Sequence, residues 1–395
     1  MLSLSENILR IISGFGILQG ILLAAIIYFH KKSDRSVNTF LALYIIAASL
    51  ILTIPFIIHI VGWQHSFFIQ PAPFLTGPLV YLYLRSFKGR INLRKAIPHF
   101  IPFILFFFIA YYNINKFAKI YPDEKVVPPG LIQSPTTILI LYLRPMHQLV
   151  YYFMARRVLL SYQRSIHHLF SETNRIELNW ARLLINGYLV LACIFVLVFP
   201  FAVFFPEHVA KIMWFNFAFG APYIYLVTFK GIMQPTIWQV QPESNKENVE
   251  VEINDVENME TELADEKTKP SRTGFNPEKI EALAAKVVAL MEHEKIFQEP
   301  ELTLQQLAQK LGTSAHLLSL AINDGLKKNF YDLVNGYRVE EAKRLLLDPK
   351  SNNYTVLSIG FEAGFNSKTT FNTVFKKFTG LTPTAYKELQ GQPVL

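Results

Sequence analysis

Lys368, Thr369, Asn372, Thr373 and Lys376 alternate with Phe371, Val374, Phe375 and Phe378. At 3.6 residues per turn this spacing collects the polar set on one side of a helix and the aromatic set on the other. The polar side carries amides, hydroxyls and ammonium groups and no acid. Those groups suit a helix that meets base edges and phosphates in a major groove. Asn372 has the donor and acceptor pair that matches adenine, and Lys368 has the reach for guanine. Lys376, Lys377 and Lys387 suit phosphates, contacts that position without specifying. The bland alternative for each is a solvated helix face.

The flanking residues say how such a helix is held. Thr355 is placed to cap a short helix with Val356, Leu357, Ile359 and Ala363 as its apolar positions. Gly364 supplies a residue able to take positive φ. Ser367 caps the second helix, Gly380 ends it, and Pro383 after Thr382 opens another. Upstream, Asn276-Pro277 starts a helix reaching about Phe297, with a stripe of Ile280, Leu283, Val287 and Leu290. The stripe either packs on its own domain or pairs two copies as a homodimer. Thr303 caps a short helix, Gly312 makes a turn and Ser314 caps the next helix. A long helix from Asn329 to about Leu347 then buries Phe330, Leu333, Val334, Tyr337, Ala342 and Leu345.

Gly364-Phe365-Asn366-Ser367, Phe371, Phe375-Lys376-Lys377, Gly380, Pro383 and Tyr386 resemble the signature of the AraC/XylS transcription regulators. The likeness reaches back to about Leu302. Leu304, Leu307-Ala308, Gly312 and Ser314 resemble the first helix-turn-helix of that module, and Arg338, Ala342 and Leu345-Leu346 its connecting helix. It covers about a quarter of the chain. The resemblance implies double-stranded DNA as partner. It also implies two reading helices that enter successive major grooves about 34 Å apart. In the first helix it turns His316 and Ser319 to the groove, with Asn323 nearer the backbone. Gly360 departs from the family's usual alanine, which predicts a looser helix there.

Composition sets the remainder apart. The chain has 395 residues, 51% of them hydrophobic, more than a soluble protein of this size needs. The excess lies before residue 235. Through Val240 there are 20 Lys and Arg against 7 Asp and Glu, so the basic balance belongs mainly to the apolar part. Cys193 is the single cysteine, which excludes an internal disulfide and a cysteine-built metal site. No catalytic or phosphate-binding motif occurs, and no enzyme activity or cofactor is expected.

Apolar runs of about 20 residues recur, as spans of a bilayer core require. Seven are expected: Ile8–Phe29, Val37–His59, Phe67–Phe87, Ala96–Asn113, Thr136–Ala155, Leu183–Phe205 and Val209–Phe229. The odd-numbered connections hold twelve Lys and Arg and the even-numbered ones three. The positive-inside rule then puts the N-terminus outside and the C-terminus in the cytoplasm, where DNA is. Arg144 falls near the middle of the fifth run, beside Pro145 and close to His147. An arginine at that depth costs about 2.5–3.5 kcal/mol on insertion scales, so it needs a partner or a cavity. Two readings stand: a structural arginine bonded to backbone carbonyls, or a site with His147 for an anionic or polar ligand.

The expected fold class is therefore all-α: a polytopic transmembrane bundle over residues 1–235 and a small domain over 275–395 with two helix-turn-helix motifs joined by a long helix. Between them, 236–274 is acidic, poor in aromatics and too polar to bury a core. Such a linker sets the proximity of two tethered heads and transmits no torque. The combination predicts a regulator in a bacterial inner membrane whose spans sense a ligand, lipid or membrane partner. Two alternatives remain: a transporter or membrane enzyme with a DNA-binding tail, and proteolytic release of the soluble part at the linker. His167-His168, in a basic connection, is expected to be a solvated loop.

Overall fold

The computed structural model describes residues 4–29, 35–124, 126–173, 176–233, 277–351 and 353–390. The expected linker over 236–274 lies outside the described residues. The chain is helical, and among the described residues the only extended pairing is one isolated bridge between Phe170 and Thr303. It divides into two units. One comprises Met1–Leu160 with Leu178–Pro242, and the other Ser161–Glu177 with Glu243–Leu395.

The first unit contains α1 (Leu4–Phe29), α2 (Arg35–Ile51), α3 (Ile54–Ile60), α4 (Pro73–Arg85), α5 (Ile101–Ile120), most of α6 (Pro135–Leu169), α7 (Asn179–Phe204) and α8 (Val209–Ile232). Among the described residues four helical stretches, Val37–Ile60, Trp63–Arg85, Leu93–Ile120 and Asn179–Phe204, are long and apolar enough to cross a membrane. The other three expected spans coincide with α1, α6 and α8. Differences from expectation are local. The second span is interrupted between Ile51 and Ile54, and Pro55 stands at the start of α3, where its missing N–H costs nothing. The third opens with a tight 3-10 turn at Trp63–Phe68 before Pro73 starts α4. The fifth does not stop at Ala155 but continues as one helix to Leu169.

Phe15, Leu18, Phe29, Leu197 and Phe204 are each at least 70% exposed. Each such side chain forgoes about 1.5–3 kcal/mol of burial in water. Inside, small residues set helix spacing. A Cβ on Gly20 would strike Ser49 and one on Gly187 would strike the Tyr223 ring. These contacts let α1 approach α2, and α7 approach α8. Polar groups are satisfied between helices: the Tyr44 and Tyr223 hydroxyls lie 2.7 Å apart, and the Tyr223 hydroxyl donates to the Leu184 carbonyl at 2.7 Å.

The second unit is built from α9 (Pro277–His293), α10 (Leu304–Lys310), α11 (Ala315–Leu320), α12 (Phe330–Leu347), α13 (Val356–Glu362), α14 (Lys368–Thr379) and α15 (Pro383–Gln390), with the last turns of α6 and the residues after them. Caps fall where the sequence places them. Thr303 and Gln306 form a reciprocal capping box on α10, Ser314 caps α11, Thr355 caps α13 and Ser367 caps α14. Gly380 closes α14 at φ 80°. The α9 stripe packs on its own domain: Leu283, Ala284, Val287 and Met291 are buried, and α9 contacts α11 and the turn after it.

Candidate nucleic-acid interface

The second helix-turn-helix is positioned by an aromatic core. Phe365 and Phe371 have ring centroids 5.1 Å apart, Phe371 and Phe375 5.6 Å, and Phe375 and Tyr386 5.4 Å. The first three are at most 1% exposed. Burying each contributes about 1.5–3 kcal/mol, enough to fix which side of α14 faces inward. Two glycines make the fit possible. Gly364 sits at φ +96°, and a Cβ there would fall 2.7 Å from the Gln298 Cα and the Phe297 carbonyl. At Gly360 a Cβ would fall 2.5 Å from the Phe371 ring. The family departure at Gly360 thus admits Phe371 rather than loosening α13. Gly360→Ala is expected to destabilise the domain by about 1–3 kcal/mol through overpacking, although alanine is the better helix former. Denaturant unfolding followed at α13 and α14 checks this; a stabilised variant would show the steric account to be wrong.

With that core inside, Lys368, Thr369, Thr373 and Lys376 are exposed along one side of α14, and Asn372 is half-buried among them. The five residues therefore form the single polar face expected. Lys377 behaves differently. Its ammonium lies 2.9 Å from Asp332 Oδ1 and 5.3 Å from the Tyr331 ring centroid, tying α14 to the start of α12. In this structure it is paired within the fold, while remaining more than half exposed.

The first helix-turn-helix departs from expectation. His316 is exposed on α11, but Ser319 is 3% exposed. Asn323 is half-buried, and its amide lies 3.3 Å from Ser319 Oγ and 3.3 Å from His168 Nδ1. Of the three residues assigned to this reading helix, only His316 presents itself to solvent. The spacing 316, 319, 323 does define one helix face, but Asn323 on that face is engaged by His168 of a distant segment.

That segment is Ser161–Glu177, the end of α6 and its continuation. It is not a solvated loop. The Ser171 backbone N–H and hydroxyl both donate to the Leu302 carbonyl, at 3.2 and 2.6 Å, and its carbonyl accepts from Asn335 Nδ2 at 2.9 Å. His167 packs edge-on against Tyr331 at 4.5 Å and lies 3.6 Å from Glu177. Arg338, fully buried on α12, gathers the assembly. Its guanidinium donates to the carbonyls of Phe297 (2.7 Å), Glu299 (2.6 Å) and Pro300 (3.3 Å), to Asn335 Oδ1 (3.3 Å) and to Ser171 Oγ (3.3 Å). Burial lowers the Arg338 pKa to about 10, with the Glu172 carboxylate opposing the shift, so the group stays charged at neutral pH. No sequence signal marks Ser171, because its partners lie more than 130 residues away.

In the first unit, Arg144 lines two cavities, with its guanidinium carbon 3.9 Å from the Phe195 ring centroid. His147 lines neither; its ring packs against Phe74 at 5.1 Å and Tyr151 at 4.8 Å. Of the two residues that the sequence paired, Arg144 alone lines these two cavities.

Residues 307–389 match the family model described as a helix-turn-helix domain. The chain is also 33% identical over 87 residues to uncharacterized HTH-type transcriptional regulators of Staphylococcus aureus strains COL, MSSA476 and N315. The match covers 22% of this chain and 11% of each relative, so the chain spans about a tenth of the length of the curated relatives it matches. No solved structure matches the chain. Residues 307–389 are thus a helix-turn-helix domain, the class to which the α13–α14 geometry also points.

Proposed function

We propose that the protein is a membrane-embedded, one-component transcription regulator that binds double-stranded DNA through α11 and α14. The observation that carries this reading is the acid-free face of α14, where Lys368, Thr369, Thr373 and Lys376 stand exposed on a helix whose opposite side is locked by Phe371 and Phe375. The naming of the relatives as transcriptional regulators supports it. The apolar stretches of the first unit support a multi-pass place in a bacterial inner membrane, with the helix-turn-helix domain in the cytoplasm. In this reading the spans respond to a signal and bias the head, and the Ser161–Glu177 segment is the direct route, since its residues hydrogen-bond the head. Genome-wide mapping of bound DNA, on protein shown by fractionation to be membrane-integral, tests both parts. Discrete sites in the wild type that disappear in Lys368→Ala/Asn372→Ala are expected. A soluble full-length protein, or sites indifferent to that double substitution, would count against the reading.

A further inference from the structure

Arg144 stands among apolar residues of the first unit with no described acceptor for its Nε proton, which is sealed from solvent. The Phe195 ring covers a face of the guanidinium and leaves its edge, where all five N–H donors lie, and Tyr188, which lines the second cavity, is near enough to interact with its charge. Two cavities of about 130 Å³ each meet at this residue, sharing Arg144, Gln70, Phe195 and Phe199 in their linings. One lobe is otherwise lined by side chains such as Phe106 and Leu141, the other by Leu191 and Ile224. Neither lining contains an acid. Gln148 borders the second lobe, and its Oε1 is buried without a donor.

A buried cation with empty apolar space on its open edge asks for an anion that brings its own apolar body. We propose that these joined cavities bind a single-chain amphiphilic carboxylate, with the carboxylate on the Arg144 edge and the chain in the two lobes. A guanidinium edge matches a carboxylate with two parallel hydrogen bonds. The size follows from the volumes. An apolar cavity of about 150 Å³ takes up one benzene, so two lobes of this order hold roughly a dozen carbons. A two-chain phospholipid exceeds them, which selects a free acyl or aryl carboxylate over a bilayer lipid. An inorganic anion satisfies the charge but leaves both lobes empty. This inference rests on the membrane-sensor reading only for its purpose; binding itself is measured without DNA.

The test uses full-length protein in nanodiscs of zwitterionic lipid, titrated with dodecanoate and, in parallel, with dodecanol. Dodecanoate is expected to bind one per chain, about tenfold or more tighter than dodecanol. In Arg144→Leu the two should bind alike. A series from hexanoate to hexadecanoate should show an optimum near twelve carbons, and Ala110→Phe, which narrows the first lobe, should move the optimum to shorter chains. Equal binding of dodecanoate and dodecanol to the wild type overturns the proposal, as does full competition by inorganic phosphate or by phosphatidylglycerol in the disc. These wild-type arms decide the matter even where a variant fails to fold. Operator binding with and without dodecanoate is a separate assay, so an empty cavity and a head that ignores its ligand are distinguishable.

Discussion

Replacing Arg338 by methionine is expected to destabilise the second unit by about 3–5 kcal/mol, since several buried acceptors lose a charged donor at about 1–3 kcal/mol apiece. Methionine keeps most of the volume, so the loss is one of hydrogen bonds, not of packing. The carbonyls of Phe297 and Glu299, held at 2.7 and 2.6 Å, are the chief orphans, and Ser171 Oγ loses a donor as well. Hydrogen exchange on the full-length protein reads this directly. Protection of α12 amides should fall about a hundredfold or more, and that of the Ser171 region with it. Arg338→Lys keeps the charge but not the planar fork, and should fall between. Ser171→Ala removes one donor and should cost about 1 kcal/mol. Unchanged exchange in Arg338→Met would mean that the node contributes nothing.

The second large effect concerns recognition. Asn372→Ala is expected to weaken binding to the cognate site by about 1–3 kcal/mol while leaving nonspecific binding in place, because a base contact specifies and a phosphate contact only positions. Lys376→Ala should act the other way. It weakens all sequences alike and lowers the slope of log affinity against log salt by about one. Titrations of full-length protein against cognate and scrambled duplexes at several salt concentrations separate the two. If Asn372→Ala weakens both duplexes equally, the residue does not read a base.

How much of this was legible in the sequence depended on distance along the chain. The caps at Thr303, Ser314, Thr355 and Ser367 and the turn at Gly364 are local chemistry, and each was readable from its neighbours. The side of α14 turned to solvent followed from the period of its aromatic residues. The helices of the first unit likewise fall where apolar runs occur, though breaks at Pro55 and Pro73 shift their ends. The failures are long-range. The family resemblance turns Ser319 to the groove, yet it is buried, and Asn323 beside it is engaged by His168, 155 positions earlier. Gly360 reads as a weak point until the Phe371 ring is seen against it. His147 reads as a partner of Arg144 because three residues separate them on a helix, but the cavities open around only one of the two.

The placement of Ser171 changes what a protease could accomplish. Both ends of the Ser161–Glu177 segment continue into the first unit, while its middle is stitched into the helix-turn-helix domain through four hydrogen bonds at Ser171. Severing the chain before α9 would therefore not set that domain adrift. The fragment would stay moored by non-covalent stitches, and departure would bare the Leu302 carbonyl and the Arg338 guanidinium. A soluble reporter that begins at residue 275 lacks one strip of its own interior, and a peptide spanning 161–177 is the missing piece that should restore it.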